Sequence, residues 1–383
     1  MSSRGAADGG ARRMSATRDS DRAFWVAHPH ATGSGGAIEP DAAMQGHDPA
    51  LALAGHVVAV NRLYLHQHRF QRRIARCQTW LLPASPRINA RAIQHGARRA
   101  VFLHGGLLRS LWNALHMLLG GSRFLADRFG WQAADLRPPP PAPGGLRLFP
   151  QVTGGDGTDP LSYLKEAYGR AVEFVYFHEI AHHGRDHIAR LRAVGGQGFV
   201  DEGLAMAGGS GAVADLLRLL EFDADLNAVD MCLNATGFAS WAGGETPRFA
   251  DPDYMTSELF LHLTGMVTLF MLLDRAVPNA RAQYDGGHPP ALHRAIRLSV
   301  GLADTVQAAT GLSRAQVDPF LDHAWSEVVS LAGRLGYPPG LWTGRQDQIA
   351  RIGLLDDIAD RANALSREID AELGQKPAAR GPA

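Results

Sequence analysis

Residues 172–187 read VEFVYFHEIAHHGRDH, and no other stretch constrains the chain as tightly. Within it, His178-Glu179-Ile180-Ala181-His182 sets two imidazoles four positions apart. On a helix that spacing puts both rings on one face, one turn apart. The pair can grip one metal ion from one side, and Glu179 follows the first ring closely enough to reach a water on that ion. Val172, Phe174, Val175, Tyr176 and Phe177 are apolar and predict a buried helix, a more rigid platform than a loop.

A catalytic metal centre of this kind needs a third protein ligand and an open position. Two carboxylates compete for the role. Glu221 lies in Glu221-Phe222-Asp223-Ala224-Asp225, where Glu221 and Asp225 share one helix face. Glu221 is then the ligand, and Asp225 bonds the far nitrogen of a ligand histidine and fixes its tautomer. The rival is Glu202 in Val200-Asp201-Glu202-Gly203-Leu204-Ala205, but Met206 stands where a supporting acid would be needed. Ile188 occupies the place of the last histidine in an HExxHxxGxxH site and excludes that pattern. His183 and His187 fall off the metal-facing line, which predicts helix-surface or supporting positions for them.

With 383 residues, 38 basic and 38 acidic, the chain has no charge excess that would point to nucleic acid or an anionic membrane. Its two cysteines, Cys77 and Cys232, form no CxxC and no disulfide framework. The N-terminus lacks the apolar core of a signal peptide, and the most apolar run, Leu259 to Leu273, is interrupted by His262, Thr264 and Thr268. The expectation is a soluble, cytoplasmic protein.

Taken in order, residues 1–48 are rich in Gly, Ala, Ser and Asp and are expected to be disordered, with Phe24, Trp25 and Val26 able to dock on the domain. A helix is predicted from Leu51 to Leu82, ended by Pro83 and Pro86, with Arg69, Arg72, Arg73 and Arg76 on a solvated face. Ala100 to Leu103 reads as a short strand and Leu107 to Leu119 as a helix, joined at Gly105 and Gly106. Phe124 to Trp131 reads as helical, and Arg137 to Gly145 as a polyproline spacer. Gly195 to Gly211 is either a rim loop or a plain connector. Helices are expected over Val213 to Leu233, Asp253 to Ala276, from the turn before Val300, over Thr305 to Leu335 and over Asp347 to Leu373. The fold class is therefore α+β, mainly helical, with a domain at 49–335, a helical extension at 336–373 and a tail at 374–383.

Four blocks carry a resemblance. Asn89-Ala90-Arg91-Ala92 with Gly106-Leu107-Leu108 resembles the edge-strand block of gluzincin peptidases related to HtpX and the CAAX prenyl proteases. His178 to His182 matches their active-site helix, Glu221 to Asp225 their ExxAD helix, and His288-Pro289-Pro290 with Arg294 their later HPP…R block. The blocks span about half of the chain; the membrane helices of those proteases are absent. In lacking them, and in HExxHH, the chain also looks like the phage-exclusion, Lit-type peptidases. The resemblance implies a zincin-like domain with a small sheet beside the active-site helix. It also implies one zinc ion per chain, held by His178, His182 and Glu221, and an intracellular protein or peptide as substrate.

The chemistry implied is peptide hydrolysis by a metal-activated water, with Glu179 as general base. His288 is the candidate donor to the developing oxyanion, with Arg294 in support, unless it is a turn residue before Pro289-Pro290. Asn89 is either a bonding partner for substrate backbone or a turn residue. The alternatives are a catalytically silent zinc-binding regulatory protein and a structural zinc site in an interaction domain.

Overall fold

The computed structural model describes residues 19–65, 74, 76–119, 160–195, 199–201, 211–242, 252–276, 290–332, 337, 342–352 and 356–374. Short helices at 19–27, Pro29–Thr32 and Pro40–Met44 lead into α1 (Pro49–Leu65). The sheet follows with β1 (Cys77–Leu82), β2 (Ala90–His95) and β3 (Arg98–His104), then α2 (Gly105–Leu119). The long helix α3 (Pro160–Gly184) and the short α4 (His187–Ala193) precede β4 (Phe199–Asp201). The rest is helical: α5 (Gly211–Ala242), α6 (Pro252–Ala276), α7 (Ala291–Thr310), α8 (Arg314–Ala332), α9 (Arg345–Ile352) and α10 (Asp356–Glu372). The class is α+β, mainly helical, as the sequence predicts.

Helix α3 starts with proline at its first turn, where the missing N–H costs nothing, and is buried on every side from 171 to 184. Leu164, Tyr168, Val172, Phe174, Phe177 and Ile180 are all buried, and α1, α2, α5, α6 and the sheet pack around them. A helix without an exposed face belongs in the middle of a core. The metal-motif helix is thus the central one.

The sheet has strand order β1-β3-β2-β4; β1 runs parallel to β3, while β2 is antiparallel to both β3 and β4. The β2–β3 turn has two residues, and Gly96 at φ +59 takes its first place, where a side chain would be strained. After β3 the chain enters α2 so close to the preceding loop that a Cβ on Gly106 would lie 2.2 Å from the Pro86 carbonyl oxygen. That contact explains the glycine pair.

Strand β3 offers both faces to a core. Val101 and Leu103 of β3 face the helices, while Ala100 and Phe102 join Trp80, Leu82 and Ile93 in a second cluster on the other side. That second face needs a cover, and residues 19–48 provide it. Trp25 is fully buried, edge-on to Phe102 at 5.9 Å between ring centroids. The expectation of disorder for residues 1–48 is corrected over 19–48, because the apolar outer face of the sheet gives this segment something to bury. Of the docking residues, Trp25 is inserted and Val26 stays 43% exposed.

The helix expected from Leu51 to Leu82 is also corrected. Helix α1 is described as far as Leu65 and Ile74 is helical, but Cys77 to Leu82 is a strand, since Thr79 to Leu82 finds a partner in Thr79↔Val101 to Leu82↔His104. The expected Thr305–Leu335 helix is broken at 311–313, where Gly311 adopts φ +73, and the Asp347–Leu373 helix is two helices, α9 and α10. Helix α10 packs on α5, where Ile369 joins Ile188, Leu191, Leu217 and Leu220, and α9 packs on α7 and α8. Phe124–Trp131, Arg137–Gly145 and most of Gly195–Gly211 lie outside the described residues, as do Arg69, Arg72 and Arg73. Among the described residues no helix is long and apolar enough to cross a membrane.

Candidate metal centre

His178, His182 and Glu221 offer ligand atoms within 4.8 Å of one another, and all three side chains are at most 1% exposed. His178 Nε2 stands 3.0 Å from His182 Nε2 and 3.4 Å from Glu221 Oε2, and His182 Nε2 stands 3.6 Å from Glu221 Oε1. A tetrahedral cation with ligand bonds of 2.0–2.1 Å sets its donors about 3.3 Å apart, so the observed spacings bracket such a site.

The protons behind these atoms can be followed. His178 Nδ1 lies 2.9 Å from Asp225 Oδ1, and a hydrogen on Nδ1 would leave Nε2 with its lone pair. His182 is fixed by a longer chain. His187 Nε2 donates to Asp223 Oδ2 at 2.9 Å, which leaves His187 Nδ1 as the acceptor that faces His182 Nδ1 at 3.0 Å. His182 Nε2 therefore also presents a lone pair. Two imidazole lone pairs and a carboxylate converge on one point in a dry interior, an arrangement that a cation satisfies.

Local geometry explains how His187 gets there. On a continued helix it would point well away from His182. The helix stops at Gly184, and Asp186 takes a left-handed conformation, φ +58, which a short polar residue tolerates. Arg185 is thereby turned inward and α4 brought back beside the end of α3. Both His183 and His187 are buried, so a helix-surface position is corrected for each. His183 Nε2 donates to the Ala100 carbonyl at 3.0 Å, and burial lowers its pKa to about 4. His187 supports His182 directly.

A second shell of charge surrounds the ligands. Arg185 is fully buried, with Nη2 3.0 Å from Asp223 Oδ1, Nη1 2.6 Å from Asp370 Oδ1 and a further bond from Nη2 to the Ser366 carbonyl. Burial pulls the Arg185 pKa down, but Asp223 and Asp370 more than offset it and the net shift is upward. Burial pushes the Asp223 carboxyl up, yet the His187 bond and the Arg185 charge hold it well below the usual range. Both partners therefore stay charged.

Arg294 occupies the first turn of α7, just after Pro290, and forks Asp225 with bonds of 2.8 and 2.7 Å. Its Nη1 also lies 3.4 Å from Glu221 Oε2, and its guanidinium lies 4.9 Å from the centre of the Phe270 ring. The expected substrate-binding role is corrected: Arg294 is 3% exposed and both of its forked bonds go to the carboxylate behind His178. Asp225 sits where the sequence puts it.

No protein-family model, curated protein or solved structure matches the chain.

Glu179 is fully buried between the two histidines in sequence. Burial and Arg87 bring the Arg91 pKa down to about 10, and the Glu179 charge opposes them, which puts Arg91 of β2 within electrostatic reach of the general-base candidate. Sequence reading missed Arg91, although it stands within the Asn89-Ala90-Arg91-Ala92 block. Asn89 is buried directly before β2, and its carbonyl accepts from the His104 N–H at 3.3 Å. Glu202 and His288 lie outside the described residues.

Proposed function

We propose that the chain is a zinc-dependent endopeptidase of gluzincin type, acting on an intracellular protein or peptide. The observation that carries the reading is the convergence of His178 Nε2, His182 Nε2 and the Glu221 carboxylate on one buried point. Zinc bound by these residues would supply a Lewis acid and an acidified water. Glu179 is placed by the motif to take that water's proton and return it to the leaving amine. Asp225 and Asp223, the latter through His187, hold the imidazoles in the tautomer that keeps their lone pairs inward. Arg294 and Arg185 in turn hold those carboxylates. Strand β2 packs against α3, and an extended substrate laid on it would have to displace β4 from Arg91 to Ile93.

A second reading is a catalytically silent zinc-binding regulatory or interaction protein on the same fold. One observation favours it: β4 already pairs with Arg91 to Ile93 of β2, the stretch an extended substrate would use. Zinc-loaded protein incubated with a reduced, unfolded protein separates the two. The peptidase reading expects new internal cleavage products by mass spectrometry that 1,10-phenanthroline abolishes. Intact substrate at full zinc occupancy would favour the silent reading.

A further inference from the structure

A second group of buried ligand atoms lies in the same helices and is not used by the centre above. Glu173 of α3, Cys232 of α5 and His262 of α6 each offer a ligand atom, all within 4.8 Å of one another. Their exposures are 4%, 1% and 1%. The three residue types are a carboxylate, a thiol and an imidazole, the mixed O, S and N set that zinc accepts.

The histidine points to a ligand independently of this grouping. His262 Nδ1 is committed to the Glu258 carbonyl at 2.8 Å, so it carries the hydrogen. Nε2 is then a lone pair, and it is buried without a hydrogen-bond partner. An orphaned acceptor in a dry core is costly, and a structural reason for it is expected.

The local charge points the same way. Arg170 lies between two buried carboxylates, with Nη1 3.2 Å from Glu173 Oε2 and Nε 3.0 Å from Glu258 Oε2. One guanidinium against two carboxylates leaves an excess negative charge in the core. A divalent cation bound by Glu173 and the Cys232 thiolate, with the thiol proton released to solvent, brings Glu173, Glu258, Cys232, Arg170 and the ion to neutrality.

We propose that Glu173, Cys232 and His262 form a second, structural zinc site that staples α3, α5 and α6, the helices around the first centre. The proposal does not depend on peptidase activity. The test uses the full chain. Zinc-loaded, desalted protein should hold about two zinc ions per chain by elemental analysis, and Glu221→Ala, Cys232→Ser and His262→Ala about one each. Cobalt(II) gives a reading specific to this site, because the first centre has only nitrogen and oxygen ligands. Cobalt-loaded wild type and Glu221→Ala should show the near-ultraviolet thiolate-to-cobalt charge-transfer band. Cys232→Ser should lack it, and Cys77→Ser should keep it. Should Cys232→Ser fail to fold, wild type and Cys77→Ser together still decide, because a band kept without Cys77 belongs to Cys232. A single zinc ion per chain, or no thiolate band at saturating cobalt, would overturn the site and leave a proton on a carboxylate as the compensation for the charge.

Discussion

His187 Nε2 stands 2.9 Å from Asp223 Oδ2, and that bond decides which nitrogen of His182 is left to face Glu221. Removing a group that fixes a ligand's tautomer weakens metal binding about 10–100-fold. His187→Ala and Asp225→Ala should therefore lose zinc affinity by that order, measured by competition with a chromophoric chelator. Glu221→Ala should empty the first centre, while Glu202→Ala should leave zinc content unchanged. Full zinc in Glu221→Ala, together with loss in Glu202→Ala, would move the third ligand to Glu202.

Glu179→Gln keeps the size of the side chain and removes its ability to accept a proton. It should retain zinc and the wild-type melting temperature and lower turnover on a confirmed substrate by about 10²–10⁴-fold. Normal turnover would reject the peptidase mechanism.

Arg185 is fully buried and held by two acids from distant parts of the chain, Asp223 and Asp370. Removing one acid leaves a buried charge short of a partner, at a cost of about 3–5 kcal/mol. Urea denaturation of Asp370→Ala should show a loss of that order. In a cycle with Arg185→Met the two changes should be non-additive by about 0.5–3 kcal/mol. Strict additivity would mean that Asp370 acts on something other than Arg185.

Acid stability should depend on His104 and His30, whose rings lie 5.2 Å apart behind the sheet. Burial lowers both pKa values to about 3, with Arg91 and Arg87 and the other histidines adding to the effect. The unfolded chain takes up these protons near pH 6.5 and the folded chain only near 3. Their stability contribution is therefore complete above 6.5, falls through the interval between, and is gone below about 3. Denaturation of metal-free protein at pH 7.5 and pH 4.5 should show the loss, and His104→Asn should reduce it. An unchanged pH dependence in that variant would rule His104 out as a source.

The candidate ligands were legible because helical periodicity is local: the spacings His178–His182 and Glu221–Asp225 are enough to place each pair on one face. What was not legible depends on partners distant in sequence. Cys77 to Leu82 became a strand because β3 was there to pair with it, and residues 19–48 became ordered because Trp80 and Phe102 needed covering. Arg294 was recognised as part of the site but given the wrong task, since its forked bond to Asp225 spans two helices. His187 was legible only as a surface or a supporting group, and the left-handed Asp186 is what brings it behind His182. The fold class, by contrast, follows from the helical spacing of most of the chain.

The Arg185–Asp370 contact also sets an order in time. Asp370 leaves the ribosome after every ligand candidate of the first centre, yet it neutralises a cation that orients the acid behind His187 and hence His182. A nascent chain that already carries every ligand of the first centre still lacks this counter-charge. Zinc capture should accordingly be weaker in ribosome-stalled chains that end before α10 than in released protein, which would delay any hydrolytic activity until α10 has emerged.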